Sequence, residues 1–239
     1  LAEFQTAFIS AQPADQLITF ANIAFAIGQY ERSMIFINSP WKAYVEGDSG
    51  AITNSAKRGA LLFFRSTDDD GFGCQQCHSS DIFTDGEHHT IGFPNIGPGR
   101  GDGNNDDFGR AHETGLLADR YRFRTPSLLN VQVTGPWGHA GTYETLDEVV
   151  RHYNNQNGTV NNFFNNGGWC QLDQFLDVVN CAALYPDAED NTADALAKVR
   201  RERNILPPDE QLPQININGG QRRDVIEFLE TLTDPCILD

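Results

Sequence analysis

The sequence predicts a mainly α fold with long ordered loops and few short strands. Three observations carry that expectation. Apolar residues recur at helical spacing in several separate stretches, and strand-like alternation is confined to short pieces. From Asp68 to about Asp119 the chain is rich in Gly, Asp, Asn and Pro and has almost no period. A compact domain rarely leaves so long a stretch without an organiser, and a bound cofactor is the natural candidate.

In chain order, Thr19 to about Ile37 reads as a helix. Thr19 caps it, Phe20, Ile23, Ala24, Ile27, Met34 and Ile35 recur at its spacing, and Asn38-Ser39-Pro40 ends it. A second helix runs from Ser55 to Phe64, with Ala56, Ala60, Leu61 and Phe64 inward. Thr145-Leu146-Asp147-Glu148 fits a capping box that opens a helix ending near Asn154-Asn155. The Asn-rich run from Asn154 to Asn166 reads as loop. Asp194 to Arg203 reads as a short helix, and Pro207-Pro208 blocks any continuation. Gly219-Gly220 precedes a last amphipathic helix carrying Val225, Ile226, Phe228, Leu229 and Leu232. No internal repeat is visible.

The composition narrows the function classes. Of 239 residues 39% are apolar, enough for a core, yet no apolar run reaches the length of a membrane span. Acidic residues outnumber basic ones 33 to 17, a net charge of −16. Such a field repels a phosphate backbone and excludes non-specific nucleic-acid binding, leaving a basic partner protein or a neutral small molecule. Leu1 opens directly into a mixed segment, so no secretory leader is visible.

Cys74-Gln75-Gln76-Cys77-His78 is C-x-x-C-H, the attachment signature of c-type haem. Two thiols three positions apart on a turn can each form a thioether to one haem vinyl group, and the next residue aims an imidazole at the iron. A zinc site would need four ligands, and Cys170 and Cys181 are too far apart in sequence for a second C-x-x-C pair. A thioredoxin-like dithiol would need a βαβ context, which is missing.

A second axial ligand must come from elsewhere. The single methionine, Met34, falls on the inward face of the first long helix and reads as core. His88, His89, His112, His139, His152 and Tyr153 remain. At about 100° per residue, Leu146, Val149, Val150 and Tyr153 share one narrow face, and His152 lies roughly 100° away. That arithmetic points Tyr153 inward and His152 toward the rim. Periodicity alone favours the plainer reading, a core tyrosine whose hydroxyl finds a partner.

Three segments then resemble one family. They are Phe123–Val131, Thr134–Thr142 and Thr145–Asn154, reading FRTPSLLNV, TGPWGHAGT and TLDEVVRHYN. They look like the second haem domain of the bacterial di-haem cytochrome c peroxidase and MauG family. Shorter stretches, among them Ile18–Ala24, Asn38-Ser39-Pro40, Phe83–Gly86 and Phe228–Thr233, match in the same order. The resemblance implies a cytochrome c-like haem domain at 55–239, with 1–54 an inter-domain connection and helix packing on it. It implies that Cys74 and Cys77 hold one haem c, that His78 is proximal, and that Tyr153 is distal, as tyrosine is in the MauG branch. It also implies that the carbonyls of Thr134 and Pro136 help bind calcium between two haems. His139 matches a family histidine to which no role is carried over.

The implied function is a haem c oxidoreductase: the electron-transfer half of a protein whose other haem reacts with peroxide. The implied setting is a bacterial periplasm or the cell exterior, with a second haem domain or subunit and a redox protein as partners. The family carries two C-x-x-C-H motifs and this sequence one, so a mono-haem electron carrier is the rival reading. Weaker signals lie elsewhere. Asp102, Asn104, Asp106 and Glu113 match positions of an EF-hand loop, but Asp107 replaces its glycine, so the run reads as a solvated acidic loop. Arg110 and Arg124 could meet haem propionates, and His88 and His89 could line the haem loop. Cys170 and Cys181 could pair in an oxidising compartment, while the pairing of Cys236 stays open.

Overall fold

In a computed structural model that describes residues 1–165 and 168–237, the chain is mainly α and divides into two compact units, Leu1–Ile37 and Asn38–Asp239. The first holds α1 (Ala2–Ala7), α2 (Ala14–Leu17) and α3 (Phe20–Ser33). Thr19 caps α3 by accepting a hydrogen bond from the Asn22 backbone. Phe4 stacks on Phe8, which in turn meets Phe25. The expected inward face of α3 is not buried, since Phe20, Ile23 and Ile27 are exposed, and the helix ends before Met34, which is exposed too. Three short helices enclose too little volume to cover one another's apolar faces. Met34 is therefore not core.

The second unit is built on two helices, α5 (Asn54–Phe64) and α11 (Gly219–Glu230). Between α3 and α5 lies α4 (Pro40–Val45), with Ser39 as its cap and Pro40 where its missing N–H costs nothing. Thr53 caps α5, and Asn218 and Gln221 form a capping box at α11. The two helices meet through Gly59, where the bare backbone lets Asp224 and Phe228 approach. Ala56, Ala60 and Phe63 face inward from α5 as period 3.6 requires, whereas Leu61 is exposed. Phe63, Phe228 and Phe83 pack as an aromatic cluster with Trp41 and Phe64 against it.

Of the other elements, α7 (Leu146–Asn154) has the expected capping box between Thr145 and Glu148. Two elements differ from expectation. The Asn-rich run is a helix, α8 (Gln156–Asn165), with Asn166 outside the described residues. Its buried face, Gln156 and Val160, is held from α10 (Ala188–Ile205) by Arg203 to Gln156 and Arg200 to Asn157. Packing outweighs the poor helix propensity of asparagine there. The helix α10 is longer at both ends than Asp194–Arg203, and at its N-terminal end the added turns bury Ala188, Asn191 and Thr192. Short α6 (Ala111–Thr114) and α9 (Cys181–Leu184) complete the helices. The only sheet among the described residues pairs β1 (His88–His89) antiparallel with β2 (Phe123–Arg124).

The long aperiodic stretch is organised in large part by the protein itself. Asp106, 2% exposed, accepts from Asn95 Nδ2 at 2.6 Å, Arg120 at 2.6 Å and Tyr121 at 2.7 Å. A buried carboxylate with three donors is satisfied, and it ties its own loop to two other segments, at Asn95 and at Arg120-Tyr121. Asp106 is thereby a structural hub, and the EF-hand match has no geometry of a cation site. Cys170 and Cys181 form a disulfide beside a second apolar cluster of Ile96, Phe175 and Ala188.

Candidate haem site

The C-x-x-C-H segment opens on a single 3₁₀ turn, Cys74–Gln76, entered through Gly73 at φ +62°. A β-carbon is rarely tolerated in that left-handed region, so glycine suits the corner. The His78 amide donates to the Cys74 carbonyl at 2.9 Å, which closes the turn and brings both thiols and the imidazole to one side. Neither cysteine is in a disulfide. Burial pushes the Cys74 thiol up to about 12 and the Cys77 thiol up to about 11.

The three residues open into a cavity of about 570 Å³, a size typical of cofactor pockets. Its walls are chiefly apolar and come from segments far apart in the chain: Phe63 of α5, Leu146, Val149, Val150 and Tyr153 of α7, and Val225 and Leu229 of α11. His89, Arg124, Thr134, Pro136 and His139 also line it. The apolar stripe of α7 makes one wall a match for an apolar ring.

His78 Nδ1 lies 3.1 Å from the Phe83 carbonyl oxygen. A carbonyl only accepts, so Nδ1 carries the proton and Nε2 is the free donor atom for a metal. Phe83 makes this bond from φ +55°, an uncommon setting for a bulky residue. Burial lowers the His78 pKa and keeps the imidazole neutral, the form that can ligate. Burial also raises the Tyr153 phenol, and the nearby Cys77 and Cys74 add to this. These groups fit a covalently held haem: two thiols on a turn, an oriented imidazole, and a phenol on the same apolar cavity.

Six histidines were in view from the sequence, and the fold separates them. His152 is not at the rim. It is fully buried, stacked on Phe93 with ring centroids 4.4 Å apart and hydrogen-bonded through both nitrogens, to Tyr143 and to the Ile91 carbonyl. Its burial comes from a loop far away in sequence, which the polarity of α7 alone does not reveal. His139 stacks on Phe123 at 3.6 Å and meets Asp107 at 2.7 Å. His89 meets Asp85 at 2.8 Å, and Cys77, Asp85 and His89 bring their donor atoms within 4.8 Å of one another. That is three donors, one short of a structural zinc site. His88 accepts from Arg110, and His112 meets Arg100, both at the surface. Phe83, Phe93 and Asp107 support the site without any spacing that marks them in the sequence.

No profile of a known protein family matches the chain. Curated relatives do. Over 142 residues it is 32% identical to the methylamine utilization protein MauG of Methylophilus methylotrophus, covering 59% of this chain and 39% of that protein. Over 151 residues it is 31% identical to the cytochrome c551 peroxidase of Pseudomonas aeruginosa, covering 63% and 42%. The chain thus spans about two fifths of the length of the curated relatives it matches. Among solved structures, a MauG-like protein associated with microbial copper homeostasis superposes with a TM-score of 0.61 at 24% identity, over 93% of this chain and 59% of that one. By sequence the chain is a relative of the bacterial MauG and cytochrome c peroxidase proteins, and by backbone it has their mainly α, cytochrome c-like fold.

Proposed function

We propose that this chain is the electron-transfer haem half of a MauG-like or di-haem-peroxidase-like oxidoreductase. In this reading Cys74 and Cys77 hold one haem c through thioethers, His78 is its proximal ligand and Tyr153 its distal ligand. The observation that carries the reading is that all four residues line one apolar cavity of about 570 Å³. When bound there, haem supplies one-electron exchange, here with a second haem that reacts with peroxide and lies outside this chain.

The chain's own residues orient and insulate that group. The Phe83 carbonyl fixes the His78 ring through Nδ1 and leaves Nε2 as the unprotonated nitrogen. Leu146, Val149, Val150, Val225 and Leu229 keep water from the cavity. Tyr153, as an anionic oxygen donor, would favour the ferric state over the ferrous and so a low potential. Thr134 and Pro136 on the wall offer carbonyls for calcium, and Arg124 offers a guanidinium for a propionate. Residues 1–54 serve as the connection toward the other haem domain. The Cys170–Cys181 disulfide supports a periplasmic or extracellular setting, and no described helix is long and apolar enough to cross a membrane.

The test is acid–acetone extraction with a pyridine haemochrome count. One haem that stays with the protein, and is lost in Cys74→Ala/Cys77→Ala, is the expected result; haem that extracts from unmodified protein refutes the reading. The rival, a mono-haem electron carrier, is favoured by the single C-x-x-C-H. An iron count on the intact native assembly separates them: one haem per assembly means the carrier.

A further inference from the structure

Beside the ligand set, one buried pair of side chains has a geometry that packing alone does not call for. Tyr143 is 2% exposed and His152 is fully buried, and the phenol oxygen lies 2.9 Å from His152 Nδ1. The other ring nitrogen, Nε2, lies 3.1 Å from the Ile91 carbonyl oxygen. Since a carbonyl cannot donate, Nε2 carries the proton and Nδ1 is a bare acceptor, so the phenol is the donor. In the resting pair the phenol holds the proton and His152 Nδ1 stands ready to receive it.

Phe93 stands between this pair and the cavity. It stacks on His152 at 4.4 Å and meets Tyr143 edge-on at 5.7 Å and Tyr153 edge-on at 6.1 Å. Phe93 and Tyr153 both line the cavity, so Tyr143 is one aromatic ring away from it. Its backbone exchanges hydrogen bonds with Trp137 in both directions, at 2.8 and 3.0 Å, which fixes its position. Burial keeps the phenol neutral. Losing an electron alone would leave a phenol radical cation with its proton still on oxygen. An oxidised phenol is a far stronger acid than its parent, and the acceptor for its proton is already in place.

We propose that Tyr143 and His152 form a redox pair next to the cavity. A one-electron oxidant in the cavity takes an electron from Tyr143 while the phenol proton moves to His152 Nδ1. The products are a neutral tyrosyl radical and an imidazolium whose Nε2–H stays on Ile91. Return of one electron, with the proton moving back, restores the pair. The oxidant is an oxidising equivalent derived from hydrogen peroxide, and for that the inference rests on the function proposed above.

The test oxidises the haem-bearing chain with photogenerated tris-bipyridyl ruthenium(III), which stands in for the oxidising equivalent that the haem outside this chain draws from peroxide, then freezes it and records its paramagnetic resonance. The expected result is a radical whose hyperfine structure collapses when the tyrosines are ring-deuterated. Its formation slows in heavy water, and it is lost in Tyr143→Phe, which keeps the ring and removes only the hydroxyl. Tyr143→Phe should leave the ferric haem spectrum unchanged, which shows that the site has not been disturbed. A haem-bearing chain that forms no tyrosyl radical, or forms the same one in Tyr143→Phe, overturns the proposal. Haem content, measured on the same samples, scores the earlier reading separately. A chain without haem refutes that reading, and the same ruthenium(III) oxidation still scores the pair: a Tyr143-dependent radical supports it, and its absence overturns it.

Discussion

Replacing Gly59 with alanine puts a methyl group where α5 and α11 cross. Its β-carbon would lie 2.5 Å from the Asp224 carbonyl carbon and 2.9 Å from Phe228 Cβ, closer still to the Asp224 carbonyl oxygen, and ordinary contact begins at 3.4 Å. The obstacles are backbone and a Cβ, which cannot rotate away, so the helices must part by about 1 Å in a close-packed core. Parting them loosens the Phe63–Phe228 contact, with centroids 5.1 Å apart, and the Arg58–Asp224 pair at 2.7 Å. Overpacking of this kind costs about 3 kcal/mol, and the better helix propensity of alanine returns about 1 kcal/mol. The net is a loss of about 2 kcal/mol, or roughly 4–8 °C in Tm for a chain of this length. Thermal unfolding followed by far-ultraviolet circular dichroism reads it directly. Because helix propensity alone predicts a gain, a variant as stable as the parent, or more so, would show that the crossing is not held at van der Waals contact.

The site and its supports carry further expectations. Tyr153→Phe should change the ferric haem spectrum and raise the potential; if both match the parent, Tyr153 is only a core residue. Asp106→Ala strands Asn95 and Tyr121 as buried donors and leaves half-buried Arg120 without its carboxylate, with an expected loss of about 3 kcal/mol in urea unfolding and a smaller one in Asp106→Asn. Burial alone would raise the Asp147 carboxyl, but Arg151 and Arg222 outweigh it and hold its pKa low. Its contribution is therefore full above the unfolded value near 3.9 and disappears as pH falls below that through the folded value; in Asp147→Asn that part of the acid dependence should be flat. Reducing Cys170–Cys181, a pair 11 residues apart, should cost about 3 kcal/mol, and a variant lacking both cysteines that keeps the parent's urea midpoint would rule this out.

What could be read without coordinates was local. The C-x-x-C-H turn is five consecutive residues, and its geometry is dictated by their spacing. The caps at Thr19 and Thr145 each join a side chain to an amide three residues on, and both helices begin where those caps place them. The 3.6 period on α7 aligned Tyr153 with Leu146, Val149 and Val150, and all four line the cavity. What stayed hidden depends on partners distant in the chain. The Asn-rich run carries little helical signal of its own and is a helix because α10 grips one face of it. His152 counts as polar in any pattern, yet Ile91 and Tyr143 satisfy both its nitrogens and allow it to be fully buried. Asp106 looks like one more surface acid until Asn95, Arg120 and Tyr121 converge on it. A hydrophobic pattern records where a side chain prefers to be, whereas the burial of a polar group is decided by whether another segment brings the complementary donor or acceptor, and only the tertiary fold supplies that.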